Sequence, residues 1–354
     1  MLEYPFDLNK EKAAILAEGS FGALESKFAA AMLRYRSDRV VCVIDSMNAG
    51  RTAQEAIGVG GSAPVVANLE EALQFRPTLL AIGIAPPGGS LPESWRSVVL
   101  SALRHGLHAM SGLHQLLALD PEFAEAAKKS GARIWDLRRP PENLPVGRGR
   151  ALRLNAKRVL TVGSDCRVGK MVAALEMNSA AAQREWKPAF CATGQIGIML
   201  SGAGIAVDAV VADFISGAAE QILLERFEAV QPDWLFVEGQ GSLTHPSYSG
   251  VTLGLLHGAA PNAMVLCHQP SRRFLARFDL PIPPLNELVR LYETAAGWLA
   301  PAPVAAVALN TFDLSDEEAR AAVEDAERQT GLPASDPIRF GADKLLDALQ
   351  ETLP

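Results

Sequence analysis

Gly163-Ser164-Asp165-Cys166-Arg167-Val168-Gly169-Lys170 is a complete G-x-x-x-x-G-K, and it decides how the second half of the chain is read. The apolar run Arg158-Val159-Leu160-Thr161-Val162 precedes it as a buried strand, and Met171-Val172-Ala173-Ala174-Leu175-Glu176-Met177 follows it as a helix. Strand, glycine loop and helix is the setting in which such glycines hold phosphate. Main-chain N–H groups converge at a helix N-terminus, and the lysine adds a point charge. The residue after the lysine is Met171, where a nucleotide hydrolase carries the hydroxyl that ligates magnesium. A thioether does not serve there. Residues 163–171 are therefore expected to bind phosphates without being built to break them.

Outward from the loop, short apolar runs alternate with amphipathic ones. Pro188-Ala189-Phe190-Cys191-Ala192, Trp234-Leu235-Phe236-Val237, Ala263-Met264-Val265-Leu266-Cys267 and Val304-Ala305-Ala306-Val307-Ala308-Leu309 read as further strands, with helices expected over 317–329 and 342–349. Residues 138–150 are dense in Pro, Gly and Arg and can continue neither a helix nor a central strand. Before them, Arg39-Val40-Val41-Cys42-Val43-Ile44 and Leu79-Leu80-Ala81-Ile82-Gly83-Ile84 read as strands, Ala132-Arg133-Ile134-Trp135 as a last one, and 69–75 and 93–105 as helices. Such alternation argues parallel, doubly wound sheets. The expectation is an α/β protein with a Rossmann-like N-terminal domain (1–140), a linker (141–155) and a P-loop NTPase-like C-terminal domain (156–354), both with mainly parallel sheets. Ligands in such sheets bind beyond the strands' carboxyl ends, which points to Asp45, Asn48 and Arg51 after one strand and 86–89 after another. Gly58-Val59-Gly60-Gly61-Ser62-Ala63 fits G-x-G-x-x-A but precedes a strand, so it reads as a turn.

The chain has 354 residues, enough for two cores; 49% are apolar and 21% charged, an ordinary globular balance. A net charge of −7 gives no basic footprint for nucleic acid. Neither a leader nor an apolar run of about 18 residues is evident, so a cytoplasmic protein with no membrane partner is expected. Cys42, Cys191 and Cys267 lie in or beside strands and read as buried thiols, whereas Cys166 lies inside the loop. The spacing of His105, His108 and His114 suits no metal.

Several side chains are candidates for chemistry. Glu238, in Glu238-Gly239-Gln240-Gly241-Ser242, follows a strand where a phosphate-loop domain places its second carboxylate. His245 lies seven residues on, and a neutral imidazole could take a proton from an amine. Asp208 and Asp213 stand in an apolar run, where lone carboxylates would be costly, so each calls for a partner or a cleft. Glu220 reads equally as a solvated face. Arg51, Arg96 and above all Arg272 are candidate forks for a carboxylate.

The loop, with Glu238-Gly239 after a later strand, is similar to that of dethiobiotin synthetase, whose loop also has an acidic third position and Val-Gly-Lys. More closely, the chain resembles a bacterial and archaeal two-domain family with members assigned as D-glutamate N-acetyltransferases. The resemblance runs through Asp165-Cys166 with Val168-Gly169-Lys170-Met171, Gly194-Gln195 with Gly197-Ile198-Met199, and Val207-Asp208-Ala209-Val210 with Asp213-Phe214. It continues through Val237-Glu238-Gly239-Gln240-Gly241-Ser242 with His245-Pro246, and Leu332-Pro333 with Asp336-Pro337. It implies an N-acetyltransferase that takes acetyl-CoA as donor and the α-amine of D-glutamate or a related amino acid as acceptor. Residues 163–171 would anchor the CoA phosphates, His245 or Glu238 would orient the amine or take its proton, and Asp213, Gln240 and Arg272 would contact the substrate. No metal is expected, and association is expected to be as a homo-oligomer. The alternatives are an ATP-dependent ligase or kinase of the dethiobiotin-synthetase type and a non-catalytic nucleotide-binding sensor.

Overall fold

A computed structural model describes residues 4–22, 26–84 and 88–353. By contacts the chain divides into two units, Met1–Pro140 with Ile198–Ala209, and Pro141–Gly197 with Val210–Pro354. In the first unit the strands are β1 (Ala13–Leu16), β2 (Val40–Ile44), β3 (Val65–Val66), β4 (Leu79–Ile82), β5 (His108–Ser111) and β6 (Ile134–Asp136). They pair in parallel in the order β3-β2-β1-β4-β5-β6, the arrangement of a dinucleotide-binding sheet. Helices α1 (Lys27–Tyr35), α2 (Ala53–Ile57), α3 (Leu69–Leu73), α4 (Arg96–Arg104) and α5 (Pro121–Ser130) fall between the strands. Every side chain of β1 and β4 is buried, which is why they read as unbroken apolar runs and not as alternation.

The helix expected over 93–105 starts as a 3-10 turn, Glu93–Trp95, before α4. Strand β1 and helix α5 had not been anticipated. Helix α5 did carry its signal: Asp120 caps it by accepting from the N–H groups of Glu122 and Phe123, and Pro121 opens it. Gly58 ends α2 with φ of +77°, so Gly58–Ala63 is the expected turn. At the strand ends Asp45 is buried and accepts from Gly19 N (2.7 Å) and from Asn48 N and Nδ2, while Arg51 reaches Asn48 and the Glu55 carbonyl. Both therefore fasten loops. Pro86 and Pro87, and the first three residues read for a leader, lie outside the described residues.

The second unit holds β7 (Lys157–Gly163), α6 (Lys170–Gln183), β8 (Pro188–Cys191), α8 (Ile215–Val230), β9 (Trp234–Val237), α9 (Ser249–Ala259) and β10 (Ala263–His268). Helix α10 (Leu285–Gly297), β11 (Val304–Leu309), α11 (Asp316–Thr330), β12 (Ala334–Ser335) and α12 (Asp343–Thr352) complete it. Helix α7 (Gln195–Ser201) bridges the point where the chain passes into the first unit. The sheet order is β12-β11-β10-β7-β9-β8, all parallel, so the chain leaves β7 in opposite directions on its two sides. That reversal opens a crevice at the carboxyl end of β7.

Two carboxylates receive their explanation here. Glu220 on α8 is 1% exposed and accepts from the main-chain N–H groups of Arg148 and Arg150 and from Arg150 Nε (2.7 Å). The Pro/Gly/Arg-dense stretch is thus clamped to α8. Asp208 pairs with Arg138, whose Nε also donates to the Gly112 carbonyl at 2.8 Å, all within the first unit. Among the described residues, no helix is long and apolar enough to cross a membrane.

Candidate functional site

At the end of β7, Gly163 lies beside Cys267 of β10, and Leu160 beside Val237 of β9. Ser164 N still donates to the Cys267 carbonyl (2.9 Å), and then the chain leaves the sheet. Gly169 turns it into α6 with φ of +100°, a conformation that L side chains rarely adopt. Among the described residues, the main-chain N–H groups of Val168, Gly169, Lys170 and Met171 make no hydrogen bond. Unpaired donors are expected in a helix's first turn, and following this loop they form a nest suited to an anion.

Lys170 is 7% exposed, and its Nζ donates to the Asp165 carbonyl at 2.7 Å. Burial holds the amine below its ordinary pKa. Its stem packs on Gly239, where a Cβ would fall 1.7 Å from the Thr161 carbonyl, so only glycine fits between β7 and the turn after β9. Thr161 Oγ1 accepts from Gly239 N at 3.0 Å. Glu238, buried beside this contact, accepts from Thr193 N (3.1 Å) and Gly194 N (3.0 Å) through Oε2. Gln240 donates to Thr193 Oγ1 at 3.2 Å. The structure therefore brings the loop lysine, Glu238 and Gln240 to one strand-end crevice.

Asp165 is fully buried, an unusual place for a carboxylate in a phosphate-binding loop. Arg272 Nη1 (2.9 Å) and Ala276 N (2.8 Å) donate to its Oδ2, and Cys166 N (2.7 Å) to its Oδ1. Arg272 also donates to the Cys166 carbonyl (2.6 Å) and to Gln269 Oε1 (2.9 Å). Its guanidinium is thus engaged by the loop, in contrast to the free fork expected from the sequence. His245 is 2% exposed, stacked on Tyr248 and set edge-on to Phe278. Its Nδ1 accepts from Ser247 N (3.2 Å), so the neutral ring carries its proton on Nε2, which faces the Ala276 carbonyl (3.3 Å). Both nitrogens are engaged.

Asp165, Cys166 and His245 bring ligand atoms within 4.8 Å of one another, a spacing a metal ion could use. The donors suit an ion poorly. Arg272 already neutralises Asp165, and burial followed by the Asp165 charge pushes the Cys166 thiol up to about 11. A metal on His245 Nε2 would require a proton on Nδ1, where Ser247 already presents its own N–H.

Sequence reasoning missed two side chains here, Tyr292 and His268, and the contact that Ser164 of the loop makes with the second. Tyr292 of α10 is fully buried, donates to the Gly163 carbonyl (2.7 Å) and accepts from Leu243 N (3.2 Å), tying β7 to the turn after β9. Ser164 is fully buried with its Oγ 2.8 Å from His268 Nδ1, at the end of β10. Burial and then Arg272 hold the His268 ring down at about 4. Asp213 is exposed in the turn before α8, with no hydrogen-bond partner among the described residues. Arg96 is paired with Asp120 and Glu122. Cys42, Cys191 and Cys267 are buried free thiols, pushed up to about 12 by burial.

A family described as "Domain of unknown function (DUF1611_C) P-loop domain" matches residues 145–346, and its companion, described as "Domain of unknown function (DUF1611_N) Rossmann-like domain", matches 46–140. A protein of Tritonibacter scottomollicae named D-glutamate N-acetyltransferase is 40% identical over 79% of this chain and 84% of its own length. One of the same name from Pseudoalteromonas sp is 36% identical, over 78% and 82%. The crystal structure of a DUF1611 family protein from Anabaena variabilis is 41% identical with a TM-score of 0.92, covering 97% of this chain and 100% of that one.

Proposed function

Since the chain belongs to the DUF1611 family, with its Rossmann-like and P-loop halves, we propose that it transfers an acetyl group from acetyl-CoA to the α-amine of D-glutamate or a close relative. The observation that carries this reading is a phosphate loop with unpaired N–H groups followed by Met171, in a chain 36–40% identical to two proteins named for that activity. CoA carries a pyrophosphate and a 3′-phosphate, so such a loop can anchor it without any phosphoryl transfer. Met171 is then no defect, because no magnesium need be held there.

The thioester arrives activated, so the enzyme must place the amine, remove a proton and stabilise the tetrahedral oxyanion. In this reading residues 163–171 hold the donor's phosphates, and Lys170 exchanges the Asp165 carbonyl for a phosphate oxygen. Glu238 attracts the acceptor's ammonium and takes its proton. His245, with both nitrogens engaged, orders the loop through Asp165 and Ala276. Gln240 and Asp213 supply polar contacts to the acceptor, and Arg272 shapes the loop.

The test is release of CoA thiol, followed with a thiol-reactive dye across a panel of D- and L-amino acids, with mass spectrometry of the product. D-Glutamate should be acetylated and L-glutamate much less. ATP turnover with a small amine or carboxylate, and no acetylated amino acid, would instead establish a ligase or kinase. No turnover with either donor would leave a nucleotide-binding sensor.

A further inference from the structure

We propose that His268 is a catalytic residue, whose Nε2–H donates a hydrogen bond to the acyl oxygen as negative charge develops on it. The inference rests on the acyl-transfer reading. His268 ends β10, the neighbour of β7, and its partner Ser164 opens the phosphate loop, so the ring is fixed to the element that would anchor the donor.

The protonation pattern follows from burial. The Ser164 hydroxyl is fully buried, and its one partner among the described residues is His268 Nδ1 at 2.8 Å. A buried hydroxyl hydrogen without an acceptor costs about 1–3 kcal/mol, so Ser164 donates and Nδ1 accepts. The neutral ring then carries its hydrogen on Nε2. That atom has no partner among the described residues and, unlike Asn178 Oδ1 and Arg226 Nε, is not sealed from solvent. It is therefore a free donor open to solvent. His245 offers the contrast, with both nitrogens engaged. A ring held at about 4 is neutral throughout the physiological range. It is also too weak a base to compete for an ammonium proton, whereas an N–H donor needs no basicity.

In the reaction the amine nitrogen forms a bond to the thioester carbon while the C=O π pair moves onto oxygen. His268 Nε2–H would bind that oxyanion. On collapse the pair re-forms C=O, the C–S bond breaks, CoA leaves as thiolate and takes up a proton, and the nitrogen's proton passes to Glu238 or water. His268 gains and loses no proton.

The experiment uses the whole chain with acetyl-CoA and D-glutamate. His268→Ala should lower kcat about 10²–10³-fold, the loss typical of one oxyanion donor, with acetyl-CoA affinity by calorimetry little changed. His268→Gln should recover part of that loss, because a carboxamide donates but takes no proton. Nitrogen NMR of the wild type should show a protonated Nε2 and a bare Nδ1 through neutral pH. Ser164→Ala should release the tautomer and fall between wild type and His268→Ala; it carries the test should His268→Ala fail to fold. Full activity in His268→Ala, an equal loss in His268→Gln, or a protonated Nδ1 would overturn the proposal. Should the wild type release no CoA with any amine, the acyl-transfer reading is what fails; the NMR result is read independently of it.

Discussion

A lysine amine buried against a carbonyl is held ready for a better acceptor, and Lys170 is in that position. Lys170→Ala is expected to keep the fold and to weaken acetyl-CoA binding by about 1.5–3 kcal/mol, the range for a hydrogen bond to a charged group; calorimetry reads this directly. Glu238→Gln should lower kcat about 10²–10⁴-fold, as for a positioned base, while the donor's KM moves little. A change confined to the acceptor's KM would show that Glu238 only binds. His268 also has a signature in stability. The folded ring is harder to protonate than the unfolded one, so between about 6.5 and about 4 the unfolded chain binds more protons. Stability should therefore fall as pH drops through that window, and His268→Gln should flatten the fall in urea melts. His114, also lowered by burial, keeps its own contribution in both proteins.

Elements follow the same logic at longer reach. Glu220→Ala removes the acceptor for two main-chain N–H groups of the stretch clamped to α8, and should cost about 1–3 kcal/mol; a lower urea midpoint at unchanged slope is the expected sign. Strands β7, β9, β10 and β11 were legible because they are buried apolar runs bounded by turns. Strand β1 was not, because four residues, Ala13–Leu16, carry too little pattern. Helix α9 escaped for a different reason: with Gly250, Gly254 and Gly258 it has poor intrinsic propensity, and its packing sustains it. The loop of the site could be read because its residues are contiguous. Asp165 with Arg272, Ser164 with His268 and Gly163 with Tyr292 could not, since they lie 107, 104 and 129 positions apart in the chain.

For the molecule as a whole, transfer should proceed undiminished in EDTA, because Met171 offers magnesium no hydroxyl and the Asp165, Cys166, His245 group suits an ion poorly. Loss of activity in EDTA with recovery on adding magnesium would contradict this. The passage of Ile198–Ala209 into the first unit has a consequence for biogenesis. The Leu200 carbonyl accepts from Arg36, Gly204 N donates to the Tyr4 hydroxyl, and Asp208 pairs with Arg138, so the sheet made first has partners that are translated later. On the ribosome, the emerging N-terminal half must wait half-finished while the phosphate loop, β8 and part of α7 are being synthesised. Stalled nascent chains ending before Ile198 should be digested readily by protease within residues 4–140. Those in which Ala209 has cleared the exit tunnel should yield a resistant fragment.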